Sequence, residues 1–470
     1  MDRDGLTLVP ETNAARVTEL AGEPATQAGQ AGQAGQAWLA DQVGQRAAAT
    51  PREEPGRARR GTFRALHSKP FRLYFAGQVA SASGTFLQQT AMGWLVLKLT
   101  GNAASLGLVL AAGGVPSLLF GPWGGTIADR VDLRRLLIGT QLAFGLLAGL
   151  LWVLALTGRA NVAVIVVISV ASGVVSIADS PARQAFISSL VTPDDLSSAI
   201  SLNGIVVNSA RVIGPAIAGV LIATVGTTPC FGINALSYVA VIVALIALRP
   251  LAGTARKGKA KGGVLAGLEY VRGRQQLWLP LTMMALVGLL AFNFSVILPV
   301  LADKTFHGSG GVYGLLSTAL SVGAVAGSFG VGLVRHPRRV YLMAGALAFG
   351  LSLTATAFAP NAAVACVLLV LTGLSAFSFV TMASTTLQLH SSPQYRGRVM
   401  ALWVFVYIGT TPIGSIIDGA ITKAGGTRAA LLTGAAACLV AAGIAALVRT
   451  PPHPDAALTD LVQPSGGRPS

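Results

Sequence analysis

The chain has 470 residues, of which 53% are hydrophobic and only 11% are charged. This balance excludes an ordinary soluble domain and indicates an integral membrane protein. The formal net charge is +16, but the basic residues are spread over loops at regular intervals instead of being gathered on one surface, so we expect no nucleic-acid partner. The three cysteines have neither paired nor metal-ligand spacing, which predicts packing roles and no metal site.

Residues 1–65 form a polar, low-complexity segment that includes an Ala-Gly-Gln iteration from Gln27 to Ala37. Such a composition cannot bury enough apolar surface to offset ordering, so it predicts a disordered tail. Residues 450–470 are predicted to be a second disordered tail. No positively charged start precedes a short apolar core at Met1, so we expect no cleaved signal peptide.

Twelve apolar runs lie between the tails, and each is long enough for a helix to cross a ~30 Å hydrocarbon layer. They occupy about 73–97, 105–128, 136–157, 161–178, 199–225, 230–248, 278–301, 312–334, 340–358, 362–387, 399–422 and 428–448. The fold class predicted is an all-α membrane protein with twelve transmembrane helices. A basic central loop at 249–276 divides them into a bundle at 66–248 and a second bundle at 277–449.

The orientation in the membrane is predicted from the distribution of Lys and Arg over the loops. The even-numbered loops and the parts of the tails that flank the runs hold 23 of them, whereas the odd-numbered loops hold five: Lys98, Arg159, Lys304, Lys423 and Arg428. Because basic residues favour the cytoplasmic side, we expect both termini and the central loop to be cytoplasmic. The expected location is the inner or plasma membrane of the cell, with several passes.

The two halves of the chain contain similar sequence patterns at corresponding positions. Leu106-Gly107-Leu108 before a charged loop is answered by Tyr313-Gly314-Leu315, and Gly214-Pro215 is answered by Pro412-Ile413-Gly414. Spacings near 200 residues indicate a duplicated six-helix unit, an arrangement typical of transporters with a site between two bundles.

The charged loop after the second run carries the most specific pattern. Gly125, Asp129 and Arg130, followed by the basic pair Arg134-Arg135, resemble the motif between the second and third helices of the major facilitator superfamily. Further phrases resemble its branch of drug and siderophore exporters, which includes the enterobactin exporter and the transmembrane secretion effectors. These phrases are Phe71-Arg72, Pro181-Ala182-Arg183, the stretch from Asn208 to Pro215, and Arg396-Gly397-Arg398-Val399. The resemblance runs from about residue 66 to 449.

This resemblance implies two pseudo-symmetric six-helix bundles, alternating access, and proton-driven antiport that exports small amphiphilic molecules such as drugs, siderophores or secondary metabolites. It implies a monomer without a cofactor, in contact with the lipid bilayer. The residues of its conformational motifs are Gly125, Asp129, Arg130, Arg134, Asp179, Gly214, Pro215 and Arg398. We expect Asp129 to pair with a basic residue such as Arg398, and Asp179 to pair with Arg134 or Arg130.

Arg211 is the most informative single side chain, because it lies about a dozen residues into the fifth run, where a charge costs several kcal/mol unless it is paired or hydrated. Asn203 and Asn208 give the same helix a polar face, which predicts binding of anionic or carbonyl groups of a substrate. The alternative is an arginine that ties helices together through hydrogen bonds to carbonyls.

Gln88 and Gln89 in the first run and Asn293 in the seventh lie at similar depths, which predicts a shared midplane site. Phe292, Phe294, Trp403 and Tyr407 offer stacking surface, although aromatic residues at helical spacing also serve packing. The predicted substrate-binding residues are Gln88, Gln89, Asn203, Asn208, Arg211, Asn293 and Tyr407.

Coupling to protons has the weakest sequence support, since the acidic residues fall in tails, loops or the ends of runs, and we expect no buried carboxylate at mid-membrane. The candidates are Asp129, Asp179 and Asp418. Without such an acid beside Arg211, the predicted substrates are neutral, zwitterionic or anionic.

An importer of the same fold is the alternative function, followed by a membrane enzyme and a channel. No catalytic residue is predicted, because an enzyme needs a nucleophile or metal ligands at membrane depth.

Overall fold

A computed structural model describes residues 63–128, 130–248, 264–330 and 339–448, and these ranges are helical without strands. Most of both predicted tails and residues 249–263 of the central loop lie outside them. The helices of the first half are α1 (Lys69–Thr100), α2 (Ala103–Ala128), α3 (Leu133–Leu156), α4 (Val162–Ser189), α5 (Leu196–Thr224) and α6 (Thr228–Ala247). Those of the second half are α7 (Val264–Arg272), α8 (Gln275–Leu290), α9 (Phe294–Val300), α10 (Gly310–Gly330), α11 (Arg339–Ala357), α12 (Ala362–His390) and α13 (Arg396–Leu447).

Ten helical stretches of the described chain are long and apolar enough to cross a membrane. One of them joins α8, α9 and a π turn over Gln275–Thr305, and another is the whole of α13, with 52 residues. A straight helix of that length would span ~78 Å, but Gly426 has φ 76°, outside the helical region, and divides α13 into two arms. With α1 included, the helices are consistent with the twelve predicted crossings.

The duplication is visible both in helix starts and in helix packing. Asn161 and Asn361, 200 positions apart, begin α4 and α12, and each side chain accepts a hydrogen bond of 3.0 Å from the backbone three residues on. Gly173 and Gly373, also 200 positions apart, let α4 approach α2 and α12 approach α10 closely. A Cβ at either glycine would lie 2.3 Å or less from a carbonyl oxygen of the neighbouring helix. The two bundles are therefore pseudo-symmetric, as predicted.

The bundles contact each other at one end of the helices. We call the end with the α1–α2 connection the outer end and the opposite end the inner end, after the predicted orientation. Between α5 and α10, a Cβ at Gly314 would lie 2.3 Å from the Cα of Gly219. Between α2 and α13, a Cβ at Gly107 would lie 2.2 Å from the carbonyl oxygen of Ser415. Backbone thus packs directly on backbone, and the bundles are closed together at the outer end.

Side chains add to this outer closure. The Trp94 ring of α1 stacks on the Tyr313 ring of α10, with centroids 6.0 Å apart. One helical turn further on, the Lys98 Nζ lies 2.6 Å from Asp303 Oδ1 and 4.9 Å from the centroid of Trp94. These residues belong to different bundles, so they form a contact that must break when the outer end opens.

At the inner end, the predicted central loop contains a helix that the sequence assignment missed. This is α7, whose Tyr270 ring stacks on Tyr395 just before α13, with centroids 4.1 Å apart and an interplanar angle of 4°. The Tyr270 hydroxyl lies 3.1 Å from both Ser392 Oγ and Ser392 N, and these hydrogen bonds lower the pKa of Tyr270. Helix α7 is therefore anchored to the second bundle. At the other boundary, a 3₁₀ helix at Arg64–His67 crosses the predicted end of the tail at residue 65.

Replacing Gly314 by Val should open the outer end, because its side chain cannot fit against Gly219. Spin labels on Arg159→Cys and Pro360→Cys, in a chain whose native cysteines are alanine, would report the separation of the bundles by double electron–electron resonance. We expect the distance distribution to shift to longer values. Gly149→Val is the matched control, since a Cβ there meets nothing within 4 Å. An unchanged distribution in Gly314→Val would contradict the assigned closure.

Candidate functional site

Arg211 lies between the two bundles, between an aromatic ring from each. Its guanidinium carbon is 5.7 Å from the ring centroid of Phe86 on α1 and 5.0 Å from that of Phe377 on α12. Both distances fall within the range of cation–π contacts. The Nε atom is buried and has no hydrogen-bond partner. A buried N–H without a partner is costly, so this donor marks a place where a ligand would be stabilised.

Aromatic side chains of the second bundle continue from Phe377. Phe292 packs edge-on against Phe377 and Tyr407, with centroids 6.0 and 6.2 Å apart, and Tyr407 stacks on Trp403 at 6.1 Å. The structure thus brings the predicted residues Phe292, Trp403 and Tyr407 into one cluster that reaches Arg211. A cation beside such a cluster suits a ligand with a flat apolar part and an electron-rich polar group.

Phe86 and Phe377 were not among the predicted site residues. Phe86 had an available signal, because it precedes Gln89 by three positions and therefore shares its helix face. Phe377 had none, since an aromatic residue in a uniformly apolar run cannot be assigned to a face before the packing is known. Only the approach of α12 to α5 identifies it.

The predicted amides are dispersed. Gln88 accepts a hydrogen bond of 2.8 Å from Asn234 of α6, inside the first bundle, whereas its neighbour Gln89 is exposed. Asn203 lines a narrow crevice with Tyr74 and Gln78 of α1. It is eight residues from Arg211, or ~12 Å along the helix axis. Asn208 is half-buried. Arg211 contacts a ring of each bundle, whereas the hydrogen bond of Gln88 stays within the first bundle.

Asn293 occupies a break in the seventh crossing, between the end of α8 and the start of α9. Its Nδ2 donates to the Leu289 carbonyl at 3.0 Å and to Asp418 Oδ2 at 2.8 Å, and its Oδ1 accepts from Ser415 Oγ at 3.2 Å. The side chain is 3% exposed. Asn293 therefore binds residues of its own bundle in this conformation.

The expectation that the spans hold no buried carboxylate is wrong, because Asp418 is 0% exposed and Asp179 is 4% exposed. The sequence assigned both to the ends of runs, where water would reach them. Asp418 is enclosed by the contact of α13 with α8 and α2, and its Oδ1 has no hydrogen-bond partner. It is a buried acid with a single neutral donor, Asn293.

Asp179 lies in a polar network with several partners. It accepts hydrogen bonds from Thr140 Oγ1 at 2.7 Å and Gln141 Nε2 at 2.8 Å, and it forms an ion pair with Arg183. Arg183 also donates to Gln78 Oε1 at 3.4 Å, which connects α4 with α1. This network, spread over three helices of the first bundle, was not predicted.

The predicted pairing of Asp179 with Arg134 or Arg130 is wrong. Arg183 lies one turn further along the same helix, where side chains four positions apart meet. Arg134 instead donates to the carbonyls of Leu245 and Ile246 at 2.6 and 2.5 Å. A cation at those carbonyls stabilises the C-terminal end of α6.

Of the remaining motif residues, one lies outside the part of the chain that the structure describes, and the others lie within it. Asp129 is outside the described residues, and its predicted pair with Arg398 therefore is too. Gly125 is in the last turn of α2, and Arg130 is exposed after it. The Arg398 guanidinium carbon lies 5.0 Å from the ring centroid of Tyr395.

Gly214 and Pro215 lie within α5, which stays helical through both residues. A Cβ at Gly214 would be 2.6 Å from the Cβ of Phe86, so the glycine lets α5 rest directly on α1. Arg211, one turn earlier on α5, is thereby held near the Phe86 ring. The glycine of this motif consequently positions the interbundle arginine.

Comparison with known proteins assigns the fold to a family. The family model described as transmembrane secretion effector matches residues 60–464. The chain belongs to this family. It is a transporter of the major facilitator superfamily, as the sequence motifs predicted, and the family is one of transporters and not of enzymes.

Relatives of this transporter include a staphyloferrin transporter and two efflux proteins. It is 27% identical to the staphyloferrin A transporter of Staphylococcus aureus over 73% of this chain and 87% of that protein. It is 28% identical to the multidrug efflux pump Tap of Mycobacterium tuberculosis over 77% and 89% of the two chains. Macrolide efflux protein A of Streptococcus pyogenes is 21% identical over 74% and 88%.

Solved structures agree with the fold. A bacterial homolog of the human lysosomal transporter Spinster, in an inward-facing and unoccupied conformation, matches with a TM-score of 0.67 and 14% identity over 80% of this chain and 97% of that chain. The nucleoside transporter NupG matches with a TM-score of 0.66 and 12% identity over 80% and 98%. At these identities the likeness concerns the fold alone.

Replacing Arg183 by Gln should destabilise the first bundle, because Asp179 would keep a buried charge without its counter-ion. Breaking a buried pair costs ~3–5 kcal/mol, and since the Arg183 side chain is 31% exposed, we expect a loss of about 2 kcal/mol. Thermal unfolding in detergent would measure this as a lower midpoint temperature. Arg135→Gln, at an exposed position on α3, is the control. Equal midpoints in the two variants would contradict the network.

Proposed function

We propose that this transporter exports small amphiphilic molecules from the cytoplasm by alternating access, with the substrate bound between the bundles at Arg211. The observation that carries the proposal is the position of the Arg211 guanidinium between Phe86 and Phe377, one ring from each bundle, with its Nε unpaired. A ligand there contacts both bundles at once. Its binding therefore depends on their relative position, which is what alternating access requires.

The chemistry of this site favours neutral, zwitterionic or anionic substrates with an aromatic or otherwise flat apolar part. The guanidinium is a fixed cation and a hydrogen-bond donor, and it attracts carboxylates and carbonyls while repelling cations. Phe292, Tyr407 and Trp403 supply the apolar surface. The pairing of one charge with several rings is typical of sites for drug-sized molecules.

The direction of transport is supported by two features. The bundles contact each other at the outer end, so a substrate would reach Arg211 from the inner end. With the termini on the cytoplasmic side, as the basic loops predict, this is entry from the cytoplasm. Relatives named as efflux proteins favour the same direction. We propose that one chain is sufficient for transport.

We further propose that Asp418 carries the proton that drives export. An ionised carboxylate buried with one neutral donor costs several kcal/mol, so the neutral acid suits this conformation. One turn away, the backbone of Ser415 contacts Gly107 of the other bundle. Opening the outer end would separate these helices and admit water to Asp418, so that the acid can take up a proton from the outer side, as proton-driven export requires. Asp179, with three partners, has no comparable freedom.

Replacing Arg211 by Gln should reduce transport of anionic substrates by about tenfold or more, because a charge-assisted hydrogen bond contributes ~1.5–3 kcal/mol. Accumulation in everted vesicles would be measured for an anionic dye, a neutral dye and a monocation of matched size. Arg211→Lys keeps the charge and should retain part of the anion uptake, and Arg135→Gln should behave as the parent chain. Preferred uptake of the monocation by the parent chain would overturn the proposed site.

Replacing Asp418 by Asn should uncouple transport from protons, since the amide keeps the contact with Asn293 but cannot release a proton. In everted vesicles with an acidic interior, uptake by the parent chain should stop when the gradient is collapsed. The variant should retain substrate exchange at equal concentrations and lose concentrative uptake.

Asp194→Asn, an exposed acid outside the bundle interior, is the control for this test. Concentrative uptake by Asp418→Asn that still follows the gradient would exclude Asp418 as the carrier. Uptake by the parent chain only in right-side-out vesicles would make the protein an importer.

A further inference from the structure

The outer end holds a cavity of about 880 Å³ that is separate from the Arg211 site. Its walls come from the α1–α2 connection of the first bundle and, in the second bundle, from the end of α9 with the following π turn, the α11–α12 connection and the bend of α13 at Gly426. The volume is that of a pocket for a drug-sized ligand. Because both bundles contribute, the cavity changes shape when they move.

The charges around this cavity are unusual for an outer face. Lys304, Lys423 and Arg428 line it, and no acidic side chain is among the lining residues. They are three of the five basic residues on the predicted outer loops. Lys98 is a fourth and lies nearby, because its partner Asp303 is 3.9 Å from Lys304 Nζ. Lys and Arg are less frequent in the outer loops of membrane proteins than in the cytoplasmic loops. Three of them around one outer cavity therefore indicate a function.

The wall of the cavity contains a buried hydroxyl. Thr422 lines it, is 4% exposed, and has an Oγ1 atom that is buried without a hydrogen-bond partner. Arg428 is held at the wall by its Nε, which donates to the Ala357 carbonyl at 3.2 Å, and by the Phe358 ring, 5.2 Å from its guanidinium carbon. The site thus combines one oriented guanidinium, two ammonium groups and one unpaired hydroxyl.

We propose that this outer cavity binds a small soluble organic anion that carries two or three carboxylates. Lys and Arg bind carboxylate oxygens through charge-assisted hydrogen bonds, and the Thr422 hydroxyl donates one more. Several carboxylates on one molecule fit three separated cations better than a single negative charge does. The binding requires neither a particular transport direction nor a substrate at Arg211, so it is tested without transport.

Citrate is a suitable probe, and its neutral triethyl ester is the matched control of nearly the same skeleton. Isothermal titration on the full chain in nanodiscs of phosphatidylcholine, at low salt, should show one citrate site and no binding of the ester. Raising the salt to 1 M should weaken citrate binding, because screening reduces attraction between exposed charges.

The double variant Lys304→Gln with Lys423→Gln should bind citrate at least tenfold more weakly, because two of the three cations are lost. Arg159→Gln removes an exposed cation of the α3–α4 connection, which does not line the cavity, and should leave the affinity unchanged. Equal affinity in the double variant and in Arg159→Gln would overturn the proposal. Loss of citrate binding in nanodiscs containing phosphatidylglycerol would also overturn it, since a lipid headgroup would then be the occupant.

Discussion

Hydrocarbon offers no hydrogen-bond partner, so each polar group within the membrane must be satisfied by the protein itself. This constraint makes the described chain helical, and it explains the surroundings of the break between α8 and α9, where Asn293 donates to the Leu289 carbonyl and to Asp418. Several buried side-chain atoms of the described residues nevertheless lack a partner. Two of them, Arg211 Nε and Asp418 Oδ1, lie near a contact between the bundles.

The contact between the bundles at the outer end depends on backbone packing more than on charge. Gly219 and Gly314 bring two helices into direct contact, and Gly107 does the same opposite Ser415. The ion pair of Lys98 with Asp303 is half exposed on the lysine side, and exposed pairs contribute ~0–1 kcal/mol. Dispersion contacts of this kind are formed or broken together when rigid bundles rock, which suits a switch between two conformations.

The two buried aspartates, Asp179 and Asp418, have different environments. Asp179 has an ion pair and two further donors, which make it a structural tie among α1, α3 and α4. Asp418 has only an amide donor and a free oxygen. The first arrangement stabilises a fixed bundle. The second allows a change of protonation, because no counter-ion resists it.

The sequence by itself determined the membrane class, the helical fold, the duplication and the family, because these follow from long apolar runs, basic loops and short motifs that are local along the chain. It also made Arg211 a candidate, since a charge inside an apolar run is visible without a structure. Only the tertiary structure decided which helices meet. It placed Phe377 beside Arg211, joined Asn293 to Asp418, and paired Asp179 with Arg183 in place of Arg134. Such contacts join segments that are distant in the sequence, or they select one of several possible partners. Helical periodicity does not define which face of a uniformly apolar helix a neighbour will cover.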